Sequence, residues 1–386
     1  MQTKPINRAA SSSRKSKPSG ELVYSENLFS EIQRETDAIY RLDKNPKDFK
    51  LPANSKDRQA TADLELLVFK SIPEVDCASV GTRDDETSRR LKETLRRLKS
   101  TGGKRRFVRP VPGWKARTQA IACAYPNFSE VVENVIEPHL AMIAMGRLHR
   151  MPPILLVGPP GIGKTAFARE IQSVMNAPML FVDMASQTNG SALAGSSTFF
   201  TNSAPGRIFD CLAWGPQNQA PCANPLIILD EIDKVSVDRY DPLAALYSLL
   251  ETLTAKAFED QSVPDVVIDA SKIRFILTAN DAGQIAQPIL SRLLRFDIAA
   301  PDQKQQNLVL QRIFEGVIED LNADMRTTLL NEIQQDAAGL SPRVYKIRLE
   351  IAVAKAFAAG KRELDFQTWK STAPREKASR AKMGFY

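Results

Sequence analysis

Ile154-Leu155-Leu156-Val157-Gly158-Pro159-Pro160-Gly161-Ile162-Gly163-Lys164-Thr165 is the stretch on which the reading of this chain turns. An unbroken apolar run bounded by prolines and glycines predicts a strand buried on both faces of a parallel sheet. Phe167, Ala168 and Ile171 then recur at helical spacing. Between strand and helix the spacing is Gly-x-x-x-x-Gly-Lys-Thr, that of a phosphate-binding loop. Its glycines let the backbone bend until successive N–H groups point inward, and the following helix turns its positive end to the same spot. The predicted cradle is Gly158, Pro159, Pro160, Gly161, Ile162, Gly163, Lys164, Thr165 and Ala166. Lys164 is expected to reach the β- and γ-phosphates of ATP, and the Thr165 hydroxyl to join the shell of a Mg²⁺ ion.

The rest of the composition narrows the class. A chain of 386 residues has room for two or three domains, and its net charge of +7 favours acidic partners only in a general way. No apolar stretch is long enough to span a bilayer and no secretory h-region opens the chain, so a cytoplasmic protein without a membrane partner is expected. Cys77, Cys123, Cys211 and Cys222 form no C-x-x-C pair, and His139 and His149 are the sole histidines. A zinc site, a disulfide framework and a histidine-based triad are therefore not expected.

Residues 1–24, rich in Ser, Lys, Arg and Pro, predict a disordered tail. Residues 25–118 read as a small helical and basic N-terminal region. Leu28, Phe29, Ile32, Ile39 and Tyr40 suggest one helix between Ser25 and Leu42, and Leu64, Leu66, Leu67 and Phe69 another between Ala60 and Ile72. A basic block follows from Arg89 to Arg117, including Arg96, Arg97, Arg105 and Arg106. It fits a solvated helix face running into a flexible Gly102-Gly103 linker, or a surface that neutralises nucleic-acid phosphates. Phe107 and Trp114 could stack on bases or pack on the next domain. Ser129 opens a helix that pauses at Pro138 and ends before Pro152-Pro153. Strands are predicted at Met179–Val182, Leu226–Leu229, Ile273–Leu277 and Phe296–Ile298, and their alternation with helices places an α/β domain over 119–302. Helical pattern then fills 303–372, and 373–386 reads as a tail.

Leu226-Ile227-Ile228-Leu229 ends in Asp230-Glu231, so two carboxylates emerge at the C-terminal edge of a buried strand, where α/β sheets place ligands. Asp230 can hold Mg²⁺ through water. Glu231 can orient and polarise the water that attacks the γ-phosphate. The order of these motifs resembles the AAA+ ATPases, and most closely the ATPase module of the Lon proteases. Leu229-Asp230-Glu231-Ile232-Asp233-Lys234, Asp241-Pro242-Leu243-Ala244-Ala245-Leu246 and Thr278-Ala279-Asn280 are similar to Lon in wording and order. The resemblance implies that Asn280 is sensor 1 and helps to place the attacking water. It implies that Arg292, in Pro288-Ile289-Leu290-Ser291-Arg292, reaches a neighbouring subunit's nucleotide, with Arg295 as the alternative. Arg343, in Gly339-Leu340-Ser341-Pro342-Arg343, is implied as sensor 2 on a lid helix. Phe200, within Phe199 to Arg207, takes the place of the aromatic pore-loop residue that grips polypeptide; core packing is the alternative for both phenylalanines.

The resemblance covers roughly Phe128 to Phe357. With the chain ending at Tyr386, proteolysis is not expected to accompany it. The resulting expectation is a P-loop NTPase αβα sandwich with a parallel sheet, followed by a C-terminal helical lid domain. It would hydrolyse ATP with Mg²⁺ as a homo-oligomeric, hexameric ring and remodel or unfold a protein substrate. A nucleic-acid motor or loader using the basic block is the alternative.

Overall fold

Ile154–Val157 forms β4, every residue of it buried, and it lies second from the edge of a five-stranded sheet. The computed structural model describes residues 64–74, 86–188, 190–235, 241–320, 330–337 and 339–373. The expected tail 1–24, the expected helix from Ser25 to Leu42 and all but the first residue of the expected tail 373–386 lie outside these. The strands are β1 (Glu65–Leu67), β2 (Phe69–Ser71), β3 (Lys104–Arg106), β4, β5 (Met179–Asp183), β6 (Leu226–Asp230), β7 (Phe258–Asp260), β8 (Val263–Ile268), β9 (Arg274–Ala279) and β10 (Leu294–Asp297). The helices used below are α1 (Glu86–Thr101), α2 (Trp114–Ala124), α3 (Glu137–Ala144), α4 (Lys164–Met175), α5 (Arg207–Ala213), α6 (Gln303–Asp320), α7 (Leu330–Asp336), α8 (Pro342–Ala358) and α9 (Phe366–Lys370).

The main sheet runs β10-β4-β9-β6-β5, parallel throughout. Successive side chains of a strand point to opposite faces, which is why the sheet carries two cores. Leu155, Val157, Ile227, Leu229, Phe275 and Leu277 face one core, which α5 covers with Ile208, Phe209 and Leu212. Ile154, Leu156, Leu226, Ile228 and Ile276 face the other, which α4 covers with Phe167, Ala168, Ile171, Val174 and Met175. This is an αβα sandwich. A third core, of Leu310, Phe314, Ile333, Tyr345, Leu349, Val353 and Trp369, unites α6 to α9 into a helical lid. Among the described residues no helix is long and apolar enough to cross a membrane.

The N-terminal region differs from its expected helices. Instead of a helix between Ala60 and Ile72, the described part holds β1 and β2. Leu64 and Leu66 are half-buried and Val68 buried, while Glu65 and Leu67 are exposed; this alternation over a short run has the period of a strand, not of a helix. Gly102-Gly103 is no linker: the Gly103 carbonyl accepts from Val68 N at 2.9 Å and Phe69 N at 3.0 Å. The tight turn between α1 and β3 lets β3 pair antiparallel with β1. β2 in turn pairs with β8, the second strand of a β7–β8 hairpin that the residue pattern does not reveal. Upstream of β4, the helix does not pause at Pro138. A π turn at Val132–Ile136 leads straight into α3, and Pro138 sits in its first turn, where a missing N–H costs little.

The basic block is largely tied to the protein itself. Arg90 pairs with Glu86, Lys99 with Glu74 at 2.6 Å, and the Arg97 guanidinium lies 3.9 Å from the Trp214 ring centroid. Arg105 is buried and donates to the carbonyls of Leu212 at 2.7 Å, Ala213 at 3.2 Å, Gly102 at 2.8 Å and Lys104 at 2.7 Å. Phe107 is buried in the first core. Removing a buried, multiply bonded guanidinium strands the carbonyls it serves. Arg105→Ala should therefore lower unfolding free energy by about 3 kcal/mol in urea titrations, whereas Arg96→Ala on the exposed face should change it by less than about 0.5 kcal/mol.

Candidate active site

β4 delivers the phosphate loop at its C-terminal end. Gly158 N donates to the Ala279 carbonyl at 3.2 Å, and a Cβ at Gly158 would sit 2.3 Å from the Ile298 carbonyl, so no larger residue fits between the flanking strands' ends. Gly163, with φ at +98°, supplies the left-handed turn that starts α4. Lys164 follows as the first residue of α4 and is 8% exposed. Its ammonium donates to the carbonyls of Gly158 at 2.7 Å and Pro159 at 2.9 Å, and to Asn280 Oδ1 at 2.9 Å. Those acceptors are neutral. Burial lowers the Lys164 pKa, while Asp233, Asp230 and Glu231 act in the opposite sense.

The acids sit one strand further away than a loop-adjacent pair would: β9 lies between β4 and β6. That intervening strand supplies the connection. Thr165 Oγ1 donates to Asp230 Oδ1 at 2.8 Å and lies 3.0 Å from Oδ2, while Thr278 Oγ1 donates to Oδ1 at 2.5 Å. Thr278 Oγ1 also accepts from Glu231 N at 3.0 Å. Glu231 is exposed and held at φ +55°, a left-handed conformation that costs a glutamate free energy and here leaves its carboxylate at the sheet's edge. Asp233 is buried behind it, and its Oδ2 accepts from Asp281 N at 3.2 Å, which ties the turn after Asn280 to the turn after Glu231. Thr278 and Asp233 stand within the quoted motifs, yet residue order assigns them no role. A hydroxyl two residues before Asn280 is the available signal for the first.

These residues fit a Mg²⁺-bound triphosphate. The ammonium of Lys164 bonds only neutral oxygens, Thr165 and Asp230 already converge, and the loop approaches through its backbone. Thr165 and Asp230 would hold the ion, which when bound neutralises phosphate charge. The lid closes over the same loop. A Cβ at Gly161 would lie 3.3 Å from Ser341 Cβ, and Ser341 caps α8 through the Val344 N–H at 3.4 Å. Arg343 is exposed in the first turn of that helix. Arg312 of α6 spans to the core, 3.4 Å from Glu170 and with its guanidinium 4.8 Å from the Tyr125 ring centroid.

Arg292 is not brought to this site. It precedes β10, and Leu294 pairs with Ile154, whereas the phosphate loop leaves β4 beyond Val157, opposite Asp297. The two therefore lie at opposite edges of the sheet, about 13 Å of strand apart. Arg292 donates to the Pro288 carbonyl and its Nε stands 4.0 Å from Glu251. Arg295 is paired with Asp297 on its own strand at 2.6 Å. Phe199 and Phe200 are 96% and 57% exposed, so neither packs in the core.

Residues 154–301 match the model of the ATPase family associated with various cellular activities (AAA). Over this region the chain is similar to Lon proteases. The chain is 33% identical over 190 residues to the mitochondrial Lon protease homolog of Yarrowia lipolytica, covering 47% of this chain and 16% of that protein. It is 31% identical over 244 residues to the Lon protease of Parabacteroides distasonis, covering 62% of this chain and 27% of that one. The match thus spans about a sixth to a quarter of those relatives' lengths. Among solved structures, a P216G mutant of Thermotoga maritima RuvB superposes with a TM-score of 0.46 at 16% identity, over 64% of this chain and 69% of that one.

Thr278→Val keeps the shape of β9 and removes both of its bonds, so it should lower the ATP turnover rate about tenfold while nucleotide affinity by calorimetry stays within about twofold. Lys164→Ala should abolish measurable nucleotide binding in the same titration.

Proposed function

We infer that the chain hydrolyses ATP with Mg²⁺ as a ring, hexameric by resemblance, and uses the cycle to move or unfold a polypeptide held at Phe200. The observation that carries the hydrolytic part is the joining of Lys164 to Asn280, and of Thr165 through Asp230 to Thr278, at one edge of one sheet. Lys164 and the loop N–H groups bind the phosphates, and Thr165 with Asp230 positions the metal. Glu231 takes up the proton of the attacking water, which Asn280 orients. Phosphoryl transfer needs this placement and charge more than covalent help.

Arg292 lies at the far sheet edge, so it serves a neighbour's nucleotide, and Arg343 at the lid serves its own. Each site is then completed only on assembly. The exposed aromatic tip at Phe199 and Phe200 supports a sequence-independent grip on an extended chain. A nucleic-acid motor is favoured instead by the exposed Arg96 and Lys104, but the internal pairing of Arg90, Arg97, Lys99 and Arg105 leaves that face less charge to offer.

Glu231→Gln should bind ATP and lower turnover by about a hundredfold. Arg292→Ala should lose about a thousandfold, and mixing it with Lys164→Ala should restore turnover, because each supplies what the other's interface lacks. No recovery on mixing would overturn the shared site. Unfolded β-casein should accelerate wild-type turnover and fail to accelerate Phe200→Ala; acceleration by duplex DNA alone would favour the second reading.

A further inference from the structure

The loop that carries Phe199 and Phe200 is closed on itself. Ser196 N donates to the Ala204 carbonyl at 3.1 Å, Ser196 Oγ accepts from Ala204 N at 2.9 Å, and Ser203 Oγ donates to the Ser196 carbonyl at 2.7 Å. On its outer side Thr87 of α1 donates to the Thr201 carbonyl at 3.1 Å. Its two ends meet over a single buried acid, Asp260, the last residue of β7 and 1% exposed.

Asp260 Oδ2 accepts from Gly206 N at 2.8 Å, and Oδ1 accepts from Ser262 N at 2.9 Å and Ser262 Oγ at 2.8 Å. Gly195, at the other end of the loop, lies so close that a Cβ there would stand 2.2 Å from Oδ1. Gly206 is equally confined, since its Cβ would stand 2.3 Å from Gly195 N. The hairpin backbone adds a bond from Gln261 N to the Ala194 carbonyl at 2.8 Å. The three donors use both carboxyl oxygens as acceptors, which an amide, with one acceptor oxygen and an NH2 donor, cannot reproduce. Its bonding partners are all neutral, so the charge is carried by dipoles, a costly arrangement away from water.

We propose that Asp260 is a positioning residue which, through the two acceptor oxygens of its carboxyl group, locks the base of the 195–206 loop and so holds the Phe199–Phe200 tip in its presented form. The inference rests on the reading of Phe200 as a polypeptide contact. It also ties the β7–β8 hairpin to the nucleotide side, since Asp260 precedes, by one hairpin strand, the strand β9 that leads through Thr278 to Asn280.

Burial, helped by Asp210 on α5, pushes the Asp260 carboxyl up to about 6 against the bonds from Gly206 and Ser262. Gly195 and Gly206 bring no charge from the loop side, and Ser262 brings only its N–H and hydroxyl from the hairpin. Because the buried acid holds its proton more tightly in the closed loop than it would when exposed to water, a fall in pH through about 6 favours the closed form over the open one.

Hydrogen exchange on the full chain, read beside casein-stimulated turnover, tests this. At pH 7.5 the amides of 196–206 should exchange about tenfold faster in Asp260→Asn than in wild type, with β9 unchanged. After correction for intrinsic rates, loop exchange in wild type should slow further as pH drops below about 6, and the variant should show no such step. The β-casein concentration for half-maximal acceleration should rise about tenfold. Should Asp260→Asn disturb β9 as well, Ser262→Ala, which deletes one donor, should speed loop exchange about threefold. Wild-type exchange of the loop in both variants would overturn the lock. Faster loop exchange with casein acceleration intact in both Asp260→Asn and Phe200→Ala would leave the lock standing and overturn the polypeptide reading.

Discussion

Asp230 ends β6 half-buried, and it is satisfied by hydroxyls from two other elements: Thr165 in the first turn of α4 and Thr278 near the end of β9. A parallel sheet leaves its carboxyl-end loops without regular partners, so something other than the ladder must hold them in register. Here one carboxylate does so. It fixes the first turn of the helix that follows the phosphate loop against the strand that leads to Asn280, and Thr278 passes the constraint to Glu231 through its backbone N–H. Lys164 closes the same circuit from the other side by bonding Asn280. Three loops that share no sequence neighbourhood are thereby held as one surface. The strained φ of Glu231 persists because these bonds over-determine it.

The same sheet imposes a second constraint by its direction. All of its strands run one way, so every loop at one edge belongs to the nucleotide side and every residue at the other edge is excluded from it. Asn280, Asp230 and the phosphate loop fall on one side; Arg292, before β10, falls on the other. The lid approaches only the first edge, where Ser341 meets Gly161. An arginine kept at the excluded edge, half-buried beside Glu251, meets the requirement that the proposed action on a neighbour's nucleotide sets.

Away from the nucleotide side, the short strand β2 and the β7–β8 hairpin form a small sheet, β2-β8-β7, that packs on the first core. Through it α1, the hairpin and the loop bearing Phe199 and Phe200 become mechanically continuous. Arg105 is central to that union, joining β3 to the end of α5 by its bonds to Leu212 and Ala213. The basic block is thus in part a structural clamp, and its charge count overstates what faces solvent.

The phosphate loop, the four further strands of the main sheet, the acids at Asp230 and Glu231 and the helical lid are readable from residue order, because each depends on local pattern: an apolar run, a glycine spacing, a helical period. Thr278 and Asp233 are not, since a hydroxyl or a buried acid takes its meaning from which loop end lies across from it. The β-pairing of Leu64 to Ser71 is hidden for a related reason. A run that short fits either period, and only the partners at β3 and β8 decide between them. Asp260 and the exposure of Phe199 and Phe200 likewise become visible only in three dimensions. Local chemistry is written along the chain; which ends meet is decided by packing across it.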